Sequence, residues 1–103
     1  MERYKKYKKD FWAEDLENAK YYNQDLTNTN FSDSNLKFGY FSECNLSDCN
    51  FKNADLSCVY FDSNCNFSNA DFKNAKVNIT MRQILGFAKV KNFDKIVWSV
   101  YHG

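Results

Sequence analysis

The residues whose chemistry could build a reactive centre are four cysteines, Cys44, Cys49, Cys58 and Cys65, and one histidine, His102. A zinc site needs Cys or His in close pairs, and neither a Cys-x-x-Cys pair nor a His cluster is present. The three glycines are scattered, so no phosphate-cradling loop is legible. His102 stands beside the chain end, where a frayed surface residue is expected rather than a general base. No catalytic residue, metal ligand or cofactor is therefore expected, and the chain reads as non-enzymatic. The other reactive feature is a set of aromatic residues, Tyr22, Phe38, Tyr40 and Tyr60, grouped with Cys58 by the spacing described next.

A large apolar residue recurs every five positions: Phe11, Leu16, Tyr21, Leu26, Phe31, Leu36, Phe41, Leu46, Phe51, Leu56 and Phe61, then after one extra residue Phe67, Phe72 and Val77. Neither a period of 3.6 nor one of 2 keeps every fifth residue on one inner surface, so the chain must turn a corner at each repeat. That pattern predicts a solenoid. Two positions before each large residue the side chain is mostly small, as at Ala54, Ala70 and Ala75. One position before it is mainly Asp or Asn, as at Asn45, Asn50, Asp55 and Asp71.

Small-(Asp/Asn)-(Leu/Phe)-x-x, clearest in Ala54-Asp55-Leu56 and Ala70-Asp71-Phe72, resembles the signature of the pentapeptide-repeat family over roughly two thirds of the chain. The resemblance implies an all-β solenoid, a right-handed quadrilateral β-helix in which residues twenty apart stack. Its length would be about three and a half coils, with a short C-terminal helix as cap. The expected organisation is a basic N-terminal arm over 1–10, a β-helix over 11–79 and a helical cap with a return segment over 80–103. Phe31, Leu36, Phe41, Leu46, Phe51, Leu56, Phe61, Phe67 and Phe72 are its expected core, with aromatic and Leu columns on alternate faces. The extra residue before Phe67 predicts a corner bulge and a shift of stacking from twenty to twenty-one. Glu14 and Gln24 fit the small inward slot poorly, so the first coil should be irregular and covered by the N-terminal segment.

Cys44, Cys49 and Cys65 fall on the small inward slot and read as compact apolar filler. Cys44 and Cys65 should be neighbours on adjacent coils, although parallel stacking and a reducing compartment argue against a bridge. Cys58 is on an outward slot. Tyr40 and Tyr60 replace the usual Asp or Asn, twenty apart; Phe38 and Cys58 form the neighbouring column, and Tyr22 shares the face. Together they predict an aromatic patch suited to a protein partner or a second copy of the chain, unless the chain's own termini cover it.

Charge is unevenly spread. Residues 1–10 carry five Lys/Arg against two acids, residues 11–79 five Lys against ten acids, and residues 80–103 four Lys/Arg against one acid. Family members that protect DNA gyrase resemble B-form DNA in shape and charge, so DNA gyrase is a possible partner and DNA mimicry an alternative function. Those members are longer paired rods, and the acids here scatter among lysines. The arm, with Arg3, Lys5, Lys6, Lys8 and Lys9 around Tyr4 and Tyr7, could touch an anionic surface, but the acidic repeats behind it would repel phosphates. Direct nucleic-acid binding is not expected.

Thr80-Met81-Arg82-Gln83 reads as a capping box that starts a helix at Thr80, with Met81, Ile84, Leu85 and Ala88 at helical spacing across the open end. Residues 93–102 fit either a helix or a strand, and a return strand is favoured. No membrane span or secretory signal is legible, which makes the cytoplasm the expected location, with a secreted effector module as a further alternative. The reading is a non-catalytic, rigid scaffold for protein binding, its partner unnamed.

Overall fold

The computed structural model describes residues 9–100; most of the basic arm, including Tyr4 and Tyr7, and the end residues Tyr101 and His102 lie outside the described residues. Each five-residue unit folds by local rules. In most units the carbonyl of the large residue accepts from the N–H three positions on, as Phe51 does from Ala54 at 3.1 Å and Leu46 from Cys49 at 3.2 Å. The third residue of each such turn is left-handed, as at Asp48 (φ 60°) and Asn53 (φ 61°), which is the demand of a type II turn. The Asp or Asn before the large residue clasps the same turn. Asn50 Oδ1 accepts from the Lys52 N–H at 2.9 Å, and Asp55 Oδ1 accepts from both the N–H and the hydroxyl of Ser57. The family motif thus has a physical reading: small side chain inward, turn clasp, core residue, turn.

Successive layers pair in parallel. Asn30 pairs with Asn50 and Tyr40 with Tyr60, a step of twenty, whereas Asn45 pairs with Asn66, Asn50 with Asp71 and Asp55 with Lys76, a step of twenty-one. Strands are short: β1 Lys20–Tyr22, β2 Tyr40–Ser42, β3 Asp55–Leu56, β4 Tyr60–Phe61, β5 Lys76–Asn78 and β6 Val97–Ser99.

This topology corrects the expected architecture. Strands assemble into two separate three-stranded parallel sheets, in the orders β1-β2-β4 and β3-β5-β6, and the remaining pairings are isolated single bridges. A continuous right-handed quadrilateral β-helix, with sheets on four closed faces, is not what forms. The reason lies in the turn clasps. Where Asp or Asn precedes the core residue, its side chain pulls the backbone into a turn and the pairing stops after one bridge. Where Lys20, Tyr40, Tyr60 or Lys76 stands there, no side-chain oxygen competes and the backbone extends into a strand. Asp55 is the exception, clasping its turn while opening β3.

The large residues pack between the layers. Phe31, Leu36, Phe41, Leu46, Phe51, Leu56, Phe61 and Phe72 are fully buried, and Phe67 nearly so. Phe31 stacks on Phe51 at 5.2 Å and Phe51 on Phe72 at 4.9 Å, while Tyr21 stacks on Phe41 at 4.9 Å. The two aromatic columns meet edge to face, Phe31 against Phe41 at 6.3 Å. Each buried ring or Leu contributes about 1.5–3 kcal/mol through lost water contact. In the first layer Phe11, Leu16 and Tyr21 are only half-buried and Gln24 is exposed; the cover expected there falls on residues 1–8, outside the described ones.

At the other end Ile79–Met81 form a 3-10 turn, α1 spans Arg82–Phe87, and a second 3-10 turn, Phe93–Lys95, leads into β6 beside β5. Met81 and Leu85 are buried in the same cluster as Phe72 and Val77. The capping box at Thr80 does not form. α1 begins two residues later with no side-chain cap, because the Asn78 side-chain amide donates to the Thr80 hydroxyl and turns it away from the helix.

Candidate functional site

The face of the β1-β2-β4 sheet is aromatic because the clasping residues are missing there. The Tyr40 ring stacks on Tyr60 at 5.4 Å with 11° between planes, and Tyr22 lies 5.6 Å from Tyr40. Tyr22 and Tyr60 are 54% and 47% exposed among the described residues. Tyr40, between them, is half-buried. The structure therefore brings these three together in one row.

Phe38 and Cys58 occupy the neighbouring column, one layer apart, at the third position of their turns. Both are left-handed, with φ of 61° and 59°. The equivalent position is Asn or Asp at residues 18, 23, 28, 33, 48, 53, 69 and 74, residue types that tolerate this region well; Phe does not. Yet Phe38 gains little burial in return, since it stays 44% exposed. Phe38 and Cys58 line a groove of 390 Å³ whose far wall is Ile79, Thr80 and Val100. Sequence reasoning missed that wall, because it comes from the segment after the repeats; the apolar Ile79 and Val100, off the five-residue period, were the available signal.

The other three cysteines are inward. Cys49 donates to the Leu26 carbonyl at 2.9 Å, and burial pushes its thiol up to about 12. Burial likewise raises Cys65 to about 11, and raises Cys44. Such thiols stay protonated and behave as filler. All four cysteines are free.

The acids form no stripe. Down one bridged column run Asp15, Asn35, Asp55 and Lys76; down another run Asp10, Asn30, Asn50, Asp71 and Lys91. Asn amides separate the carboxylates: Asn30 donates to Asp10 at 3.3 Å and Asn35 to Asp15 at 3.1 Å. Among the described residues no group of His, Cys, Asp and Glu is placed to hold a metal ion, and no helix is long and apolar enough to cross a membrane.

Parallel layers of clasped five-residue turns with an aromatic outer face define a repeat protein that presents a surface. The profile of the pentapeptide-repeat family matches residues 15–48 and 44–78 with eight copies, and the chain belongs to that family. No curated protein matches the sequence significantly. Among solved structures it is similar to QnrB1, described as a plasmid-mediated fluoroquinolone resistance protein. One trypsin-treated form is 28% identical with a TM-score of 0.54, covering 67% of this chain and 38% of that one. A second gives 21% identity and a TM-score of 0.51, covering 87% and 51%. A pentapeptide repeat protein of the Arabidopsis thaliana thylakoid lumen gives 22% identity and a TM-score of 0.28 over 63% and 55%. The chain thus spans between 38% and 51% of the QnrB1 chains it matches.

Proposed function

We propose that the protein is a binding protein for DNA gyrase and that it docks through the Tyr22-Tyr40-Tyr60 face and the Phe38/Cys58 column. Two things support gyrase over an unspecified partner: the similarity to a fluoroquinolone resistance protein, and the family resemblance to gyrase-protecting members. The observation that carries the choice of face is Phe38, held in a conformation unfavourable for Phe while its ring stays in water. Interfaces concentrate their energy in such aromatic anchors.

DNA mimicry is the second reading. The dispersed carboxylates favour contact through apolar surface instead, and salt separates the two modes. The test is a pull-down of the protein against purified gyrase at low and moderate salt, beside a supercoiling assay, with the Tyr40→Asn/Tyr60→Asn double variant in parallel. The expected outcome is binding that persists at moderate salt and weakens about thirtyfold or more in the double variant. Binding that collapses with salt and ignores the tyrosines would support mimicry. No binding at either salt would remove gyrase as the partner.

A further inference from the structure

α1 and the Phe93–Lys95 turn flank a second open groove, of 530 Å³, that shares Ile79 and Thr80 with the first. Its polar side chains are Thr80, Arg82 and Gln83, of which Arg82 alone is charged. The Arg82 guanidinium lies 5.8 Å from the centre of the Phe93 ring and 5.4 Å from that of Trp98, which hold it in one orientation. The Thr80 hydroxyl oxygen accepts from the Asn78 amide and keeps a hydrogen that can donate. No acidic residue occurs between residues 79 and 93, a stretch that carries Arg82, Lys89 and Lys91. The nearest acid, Asp94, lies 3.9 Å from Lys95.

The other wall is apolar. Phe87 is 82% exposed, the most exposed large hydrophobic residue described. Between Phe87 and Phe93 the groove is left open by Gly86. This glycine is helical and has no positive φ, so its poor helix propensity is not offset by any special backbone need. A Cβ there would meet Phe93 at 3.6 Å, an ordinary contact that would fit the fold and take up groove space.

We infer that this groove binds a small aromatic carboxylate, its anionic head on the Arg82 guanidinium and the Thr80 hydroxyl and its ring along Phe87 over Gly86. Grooves of this volume with a few convergent polar groups hold small molecules, and a planar guanidinium is matched to a carboxylate. The two grooves meet at Ile79 and Thr80, and the carboxylate site draws on neither Phe38 nor the tyrosine row.

The experiment titrates the intact protein with 2-naphthoate, followed by amide chemical shifts, with neutral 2-naphthamide as the control. Expected is saturable one-to-one binding that shifts residues 79–93, with 2-naphthamide at least about tenfold weaker. Arg82→Gln should lose a similar factor and Arg82→Lys part of it. Gly86→Ala, which strengthens the helix, should weaken binding while the fold is retained, and so guards against loss through unfolding. Equal binding of acid and amide, shifts elsewhere, no saturation, or unchanged binding in Gly86→Ala would each overturn the assignment. So would capture of an acidic peptide with no response to naphthoate.

Discussion

Ser42 donates its hydroxyl hydrogen to Asp62 Oδ2 at 2.7 Å, joining layers twenty residues apart where the repeat gains its extra residue. The other oxygen of Asp62 accepts from the Glu43 and Asn64 N–H groups. The Ser42 bond, followed by those backbone bonds, holds the carboxyl below its ordinary value. A carboxyl lowered in the folded state gives stability that is fully present above the unfolded value, near 4, and lost as pH falls through the folded one. Asp25, clasped by Thr27, has the same sign. Asp62→Asn should lower the urea midpoint at neutral pH, and its gap to the native protein should close as pH drops below about 4. A gap that stays constant with pH would show that the carboxylate charge contributes nothing.

Phe38→Asn should raise stability by about 1 kcal/mol, because Asn tolerates the left-handed region and a half-exposed ring has little burial to lose. The same change should weaken the proposed partner contact. Opposite movement of urea midpoint and binding is the expected signature. A loss of stability would mean that the ring is packing rather than a docking element.

Thr29 is fully buried at an inward slot, and its hydroxyl has no hydrogen-bond partner among the described residues. Its inward-slot neighbour Ser34 donates to the Phe31 carbonyl at 2.6 Å. Thr29→Val keeps the branched shape and removes the unsatisfied oxygen, so the urea midpoint should rise by the equivalent of about 1 kcal/mol. A fall would mean that the hydroxyl is satisfied in solution by water.

The period of five placed the core residues, and the family resemblance supplied the step of twenty between layers; the change to twenty-one follows from the gap between Phe61 and Phe67. The sheet arrangement was not legible. It depends on whether the residue before the core position clasps its own turn, a competition decided locally at Lys20, Tyr40, Tyr60 and Lys76. Thr80 misled for a similar reason, since its oxygen is taken by Asn78. The row of Tyr22, Tyr40 and Tyr60 could be placed from spacing together with the layer step that the family resemblance implies. The Arg82 groove could not, because it needs Phe93 and Trp98 to fold back from later in the chain onto the helix.

Between Phe61 and Phe67 lie five residues where other repeats have four, and both rings stay buried. Asp62 opens a turn closed by the Cys65 N–H at 3.2 Å, and no left-handed residue intervenes between Cys58 and Asn69. The added length is absorbed at Ser63 and Asn64, both exposed. A corner that admits one residue without moving a buried ring is a natural port for insertion. Variation in length can accumulate there over evolution, and a foreign loop grafted between Ser63 and Asn64 would be displayed on a scaffold that need not repack to carry it.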